Sequence, residues 1–111
     1  MIPIGVDICG KHYTIKYTYN ALSEMEVNAG SGIANLFNDK GKVGLNTVRL
    51  LVWAGLMHNV PNWTMNDAGD LIEQYLTEGG NLEKLMDPFK DALKESQMFK
   101  ARKNAITEKG E

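Results

Sequence analysis

The residues that could perform chemistry are few in this chain, and their spacing assembles no complete catalytic or metal-binding set. The two histidines, His12 and His58, stand in neither H-x-x-x-H nor H-E-x-x-H spacing. A metal site needs three or four ligands, and a catalytic histidine needs a partner nucleophile or acid. Cys9, the single cysteine, has only Lys11 nearby to favour a reactive thiolate. The sequence therefore predicts no catalytic residue, metal ligand or cofactor-binding residue, and we expect a protein that is not an enzyme.

Carboxylates occur in two groups with helical spacing. Asp67, Asp70 and Glu73 are spaced by three near the start of a predicted helix, where negative charge is stabilising. The second group recurs every four residues and forms an acidic stripe, which comprises Glu83, Asp87, Asp91 and Glu95. A solvated helix face is one interpretation of the acidic stripe, and a docking surface for a basic partner is the other.

Aromatic and methionine side chains cluster at Trp53, Met57 and Trp63. Such side chains are enriched in the cores of protein interfaces, although small domains also bury tryptophan in their own cores. With part of the acidic stripe, this cluster supplies the candidate partner-binding residues, which are Trp53, Met57, Trp63, Asp87, Asp91 and Glu95.

Composition indicates an ordinary globular domain and excludes several classes of function. Of the 111 residues, 43% are hydrophobic and 23% are charged, with a net charge of −2. This small negative charge offers no attraction to nucleic acid or to an anionic membrane. No stretch approaches the about 18 apolar residues that a membrane span requires. We expect one domain over residues 1–102, followed by a flexible tail at 103–111.

The apolar pattern predicts a mainly α-helical fold with an N-terminal β-hairpin. Residues 2–18 alternate as two strands around a Cys9-Gly10-Lys11 link, and two strands alone must lie on helices or on another chain. Helical spacing then predicts a compact bundle of four to five helices. These helices are expected at 20–29, 45–58, 65–78 and about 82–102, with at most a short one in 31–37.

Specific residues mark the limits and inward faces of these helices. Thr64 and Asp67 form a predicted capping box at the start of the third long helix. Pro88 predicts either a kink in the last helix or a new helix capped by Asp87. The two central helices have broad apolar faces, which are expected to point inward and comprise Leu45, Val48, Leu51, Val52, Gly55, Leu56, Ala68, Leu71, Ile72, Tyr75 and Leu76.

The order of these elements is similar to that of a known family. After the hairpin come 20–26 (NALSEME), a glycine-rich break, 48–58 (VRLLVWAGLMH) and 64–72 (TMNDAGDLI). Over roughly residues 10–95 this pattern resembles the tail assembly chaperones of long-tailed bacteriophages and prophages, including the related proteins of gene transfer agents. The match is one of apolar and small residues, and it carries no catalytic signature.

The resemblance implies a small cytoplasmic protein that acts in the bacterial host and is absent from the mature virion. Its role would be to bind the tape measure protein and keep it soluble while the tail tube assembles. The tail tube protein is a further candidate partner, and self-association is also expected. Two alternatives stay open: a structural tail component such as a tube or connector subunit, and a small enzyme or regulatory binding module.

Overall fold

A computed structural model describes residues 4–30 and 44–96 and shows a mainly α-helical protein with an N-terminal two-stranded hairpin. The predicted fold class is therefore confirmed. The predicted short helix in 31–37 and the tail at 103–111 lie outside the described residues. The elements in the described residues are β1 (Ile4–Ile8), β2 (Lys11–Ile15), α1 (Tyr19–Ala29), α2 (Leu45–Leu56), α3 (Met65–Thr77) and α4 (Leu82–Lys94).

The hairpin is antiparallel and turns through two residues. Ile8 pairs with Lys11, and both Cys9 and Gly10 have positive φ, at 53° and 77°. Two successive positive φ angles match the twist of the flanking strands, which explains the tight turn. Strand β2 ends at Ile15 rather than at the predicted residue 18, and residues 2 and 3 of the predicted hairpin lie outside the described residues. One face of the hairpin packs on α2 and α4, as a two-stranded sheet requires for stability.

Helix α2 is the centre of the molecule, since it contacts α1, α3, α4 and β2. It is buried on most sides, so Leu50 and Ala54 are buried in addition to the predicted face. The Tyr17 hydroxyl donates a hydrogen bond to the carbonyl of Leu51, and the Lys16 amide donates to the carbonyl of Gly55. These two bonds fasten the end of the hairpin to the second half of α2.

The capping box at the start of α3 is confirmed. The Asp67 amide donates to Thr64 Oγ1 at 3.1 Å, and the Thr64 amide donates to Asp67 Oδ2 at 3.0 Å. Each side chain thereby satisfies a backbone donor that a helix N-terminus leaves unpaired.

We expect Thr64→Ala to lower the free energy of unfolding by about 1 kcal/mol, because it removes the acceptor for the Asp67 amide. Thr64→Ser should retain nearly all of the stability, since serine also caps. The exposed neighbour Asn66 is the control, and Asn66→Ala should be almost neutral. Urea unfolding followed by circular dichroism measures all three variants, and equal losses at positions 64 and 66 would contradict this role.

Helix α4 continues through Pro88 as a single helix. Asn81 caps it by accepting from the amides of Glu83 and Lys84, so the alternative in which Asp87 caps a new helix is wrong. Pro88 lacks an N–H and cannot donate to the carbonyl of Lys84, which is the local cost of this arrangement. The helix ends at Lys94, directly after Leu93, the last buried apolar residue of the helix, and not near the predicted residue 102.

Candidate partner-binding surfaces

The predicted aromatic cluster is assembled in the structure. The Trp63 indole Nε1 donates to the carbonyl of Trp53 at 3.1 Å and ties the 57–64 connection to α2. Trp53, Met57 and Trp63 are half-buried and pack against the hydrophobic core. Much of their apolar surface is therefore used inside the molecule, and a partner would meet only the remainder. Their role in partner binding stays a prediction.

The predicted acidic stripe lies along α4 and faces solvent. Glu83, Asp87, Asp91 and Glu95 are all exposed. The opposite face of α4 is buried in the core through Leu85, Met86, Phe89, Ala92 and Leu93. The structure thus places the four carboxylates on one exposed face, and their role in partner binding stays a prediction.

A third surface is a groove that the sequence did not reveal. It runs between the first half of α2 and the second half of α3, with the start of α4 at one end, and its volume is about 500 Å³. Its size lies in the range of ordinary ligand-binding clefts. Its apolar lining comes from Leu45, Val48, Ile72, Leu76 and Leu82, and its polar or small lining from Asn46, Arg49, Gly69, Glu73 and Thr77.

Two leucines of this groove contradict the predicted burial. Leu45 and Leu76 were expected to point inward, yet they are 79% and 41% exposed. Leu45 is the first residue of α2 and Leu76 lies in the last turn of α3, so both extend beyond the contact between the helices. No element among the described residues covers them. An apolar helix face without a cover is typical of an interaction surface.

The groove also carries one charge of each sign on its facing walls. Arg49 belongs to α2 and Glu73 belongs to α3, and these two side chains do not form an ion pair with each other. Arg49 Nη2 donates to Asn46 Oδ1 at 3.0 Å, whereas its Nε is buried without an acceptor. The guanidinium therefore has donors that no residue among 4–30 and 44–96 uses.

Cys9 and His12 lie on the hairpin, Cys9 in its turn and His12 in β2. Burial, followed by the nearby Glu78 carboxylate, raises the pKa of the Cys9 thiol, which disfavours the reactive thiolate. His12 Nδ1 lies 2.8 Å from Asp7 Oδ1 on the exposed face of the hairpin. Within residues 4–30 and 44–96, no three His, Cys, Asp or Glu residues are grouped to hold a metal ion. Over the same residues, no helix is long and apolar enough to cross a membrane.

The predicted helix at 45–58 would end at His58, where the helix dipole favours a histidine cation. Helix α2 ends at Leu56, two residues earlier. Partial desolvation and then the Lys16 ammonium lower the pKa of His58, so the neutral ring is favoured rather than the cation expected beside a helix dipole.

Protonation of His58 should therefore weaken the fold. Because its pKa in the folded state is below the unfolded value of about 6.5, the unfolded chain takes up this proton first as the pH falls. The stability contribution is complete above that value and is lost as the pH falls through the lower folded pKa. Urea unfolding at pH 7.5 and 5.0 should show a smaller loss for His58→Gln than for the wild type. Equal losses would contradict this reading.

Comparison of the chain with protein-family models, with curated proteins and with solved structures found no match. The resemblance to phage tail assembly chaperones therefore stays a prediction from the sequence pattern.

Proposed function

We propose that this protein is a phage tail assembly chaperone, which binds the tape measure protein and keeps it soluble in the host cytoplasm until the tail tube forms. The observation that carries the proposal is the open apolar groove between α2 and α3. A chaperone for a long polypeptide needs an exposed apolar surface, and Leu45 and Leu76, which no residue among 4–30 and 44–96 covers, contribute to one.

The proposed activity is reversible protein binding without covalent chemistry. An apolar surface binds exposed apolar segments of an unassembled protein and shields them from aggregation. The apolar lining of the groove is aliphatic and recognises apolar surface rather than one exact sequence, so the groove can accept related segments in succession along one chain. Release then needs only competition from tube subunits for the same segments.

Solubility of the tape measure protein tests this proposal. We expect a tape measure protein encoded beside this chain to be insoluble when it is expressed alone and soluble when the two are co-expressed. Phe89→Ala removes a fully buried side chain and destabilises the fold. If solubility depends on a folded chaperone, this variant should keep less of the tape measure protein soluble than the wild type does. Equal insolubility with and without the chain would overturn the proposal, and rings or tubes formed by the chain alone would favour a structural tail component.

A further inference from the structure

We infer that the groove between α2 and α3 receives one amphipathic α-helix of the partner, with an acidic residue on the flank that faces α2 and a basic residue on the flank that faces α3. This inference rests on the proposed function, since it states how the same partner is held. It follows from the backbone of the groove walls, from the length of the groove and from the two charges.

The walls of the groove favour a partner segment whose backbone N–H and C=O groups form hydrogen bonds within the segment itself. Both walls are helices, and the N–H and C=O groups of a helix interior bond within the helix. An extended segment lying in the groove would find no backbone partners there, and its unpaired polar groups would be costly against apolar side chains. A helix brings its hydrogen bonds with it, so a helix is the segment that this groove can bury.

The length of the groove sets the size of the helix. On α3 the lining runs from Gly69 to Thr77, a distance of about 12 Å along the helix axis. A bound helix would meet this length with apolar residues at positions i, i+3 or i+4, and i+7. Its apolar stripe would lie among Leu45, Ile72, Leu76 and Leu82.

The two charges define the flanks of the helix and its direction. A partner carboxylate beside Arg49 would accept from the guanidinium, and a partner ammonium or guanidinium would pair with Glu73. Turning the helix end for end would exchange its flanks and place like charges together. For a helix with an acidic flank and a basic flank, the groove thus selects one of the two directions.

Groove variants test this inference against the tape measure protein. We expect Leu45→Asn, Arg49→Glu and Glu73→Lys each to weaken its binding by at least about tenfold, because each removes an apolar contact or reverses a charge. Arg49→Gln retains most of the aliphatic stem and should still weaken binding. Val27→Asn and Glu24→Lys are matched controls, since both positions are exposed on α1, and they should change affinity by less than about threefold.

Two designed peptides test the groove independently of the tape measure protein. Both are helices with the same leucine stripe; one carries Glu on one flank and Lys on the other, and the second carries Glu on both flanks. The second peptide places a carboxylate beside Glu73 in either direction, so the wild type should bind the first at least about tenfold more tightly. The Glu73→Lys variant should prefer the second. Fluorescence anisotropy measures both affinities, and thermal unfolding confirms that each variant is folded.

The outcomes separate the inference from the proposed function. A wild-type chain that binds neither peptide, or binds both equally, overturns the inference. The inference also falls if the tape measure protein binds all groove variants as it binds the wild type, while the proposed function stands. Charge-selective peptide binding without any capture of the tape measure protein supports the groove and overturns the proposed function.

Discussion

Replacing Phe89 by alanine should lower the free energy of unfolding by about 3–5 kcal/mol, the range found when a buried aromatic side chain is removed from a core. Phe89 is fully buried on α4 and reaches α2 at Gly55. Its loss would leave a cavity between these helices and the hairpin. Domains of this size have total stabilities of about 5–15 kcal/mol, so this one change would remove a large fraction of the total.

Urea unfolding of the purified protein measures this effect, with the midpoint and the slope fitted together. Leu45→Ala is the matched control, because it removes apolar atoms from a side chain that is 79% exposed. That variant should differ from the wild type by less than about 0.5 kcal/mol. A loss below about 1 kcal/mol for Phe89→Ala would mean that α4 does not form the core with α2.

Replacing Gly55 by alanine should destabilise the fold by about 1–3 kcal/mol, although alanine is the better helix former. A Cβ at this position would lie 3.0 Å from Phe89 Cδ2, 3.0 Å from Tyr17 Oη and 3.1 Å from Ile15 Cγ2. All three neighbours are fully buried and belong to different parts of the fold, so none can move aside without disturbing its own packing.

Gly69 provides the matched control for this substitution, because it is also a glycine inside a helix. A Cβ at Gly69 would meet only Arg49 Cδ, at an ordinary contact distance of 3.5 Å. Gly69→Ala should therefore stabilise the protein by up to about 1 kcal/mol. Thermal and urea unfolding of the two variants should give opposite signs. Stabilisation by both would show that the Gly55 side of α2 is loosely packed.

Local signals in the sequence predicted the elements of the fold well, because each rests on the chemistry of one segment. Thr64 and Asp67 satisfy each other's backbone amides, and Gly30 ends α1 with a positive φ of 74°. The alternation predicted for the hairpin is also found, since Tyr13, Ile15 and Tyr17 are buried. Gly55, a member of the predicted apolar face, is buried as expected and packs against Phe89, Tyr17 and Ile15.

The predicted burial was wrong where the burial of a residue depends on which other element covers its helix face. Periodicity identified Leu45 and Leu76 as members of apolar faces, but it does not state whether the same chain covers them. Leu50 and Ala54 were missed for the complementary reason, since α2 is covered on more sides than one stripe predicts. The groove could not be predicted because its two walls meet only after α2 and α3 have packed.

For the candidate partner-binding residues, too, the sequence predicted local groupings but not contacts that depend on the folded chain. Trp53 and Trp63 were correctly predicted to be neighbours, and the indole hydrogen bond that joins them depends on the folded path of the connection between α2 and α3. The acidic stripe on α4 follows directly from its spacing of four. Neither prediction identified Arg49 and Glu73, since opposite charges on different helices give no local signal.

The most direct test of the account is co-expression of the chain with a tape measure protein, followed by affinity capture and size-exclusion chromatography with light scattering. We predict a soluble complex in which several copies of this chain bind one long partner, and Leu45→Asn should reduce the number of copies while Val27→Asn should not. A wild-type chain that elutes alone in the presence of the tape measure protein would contradict the central claim.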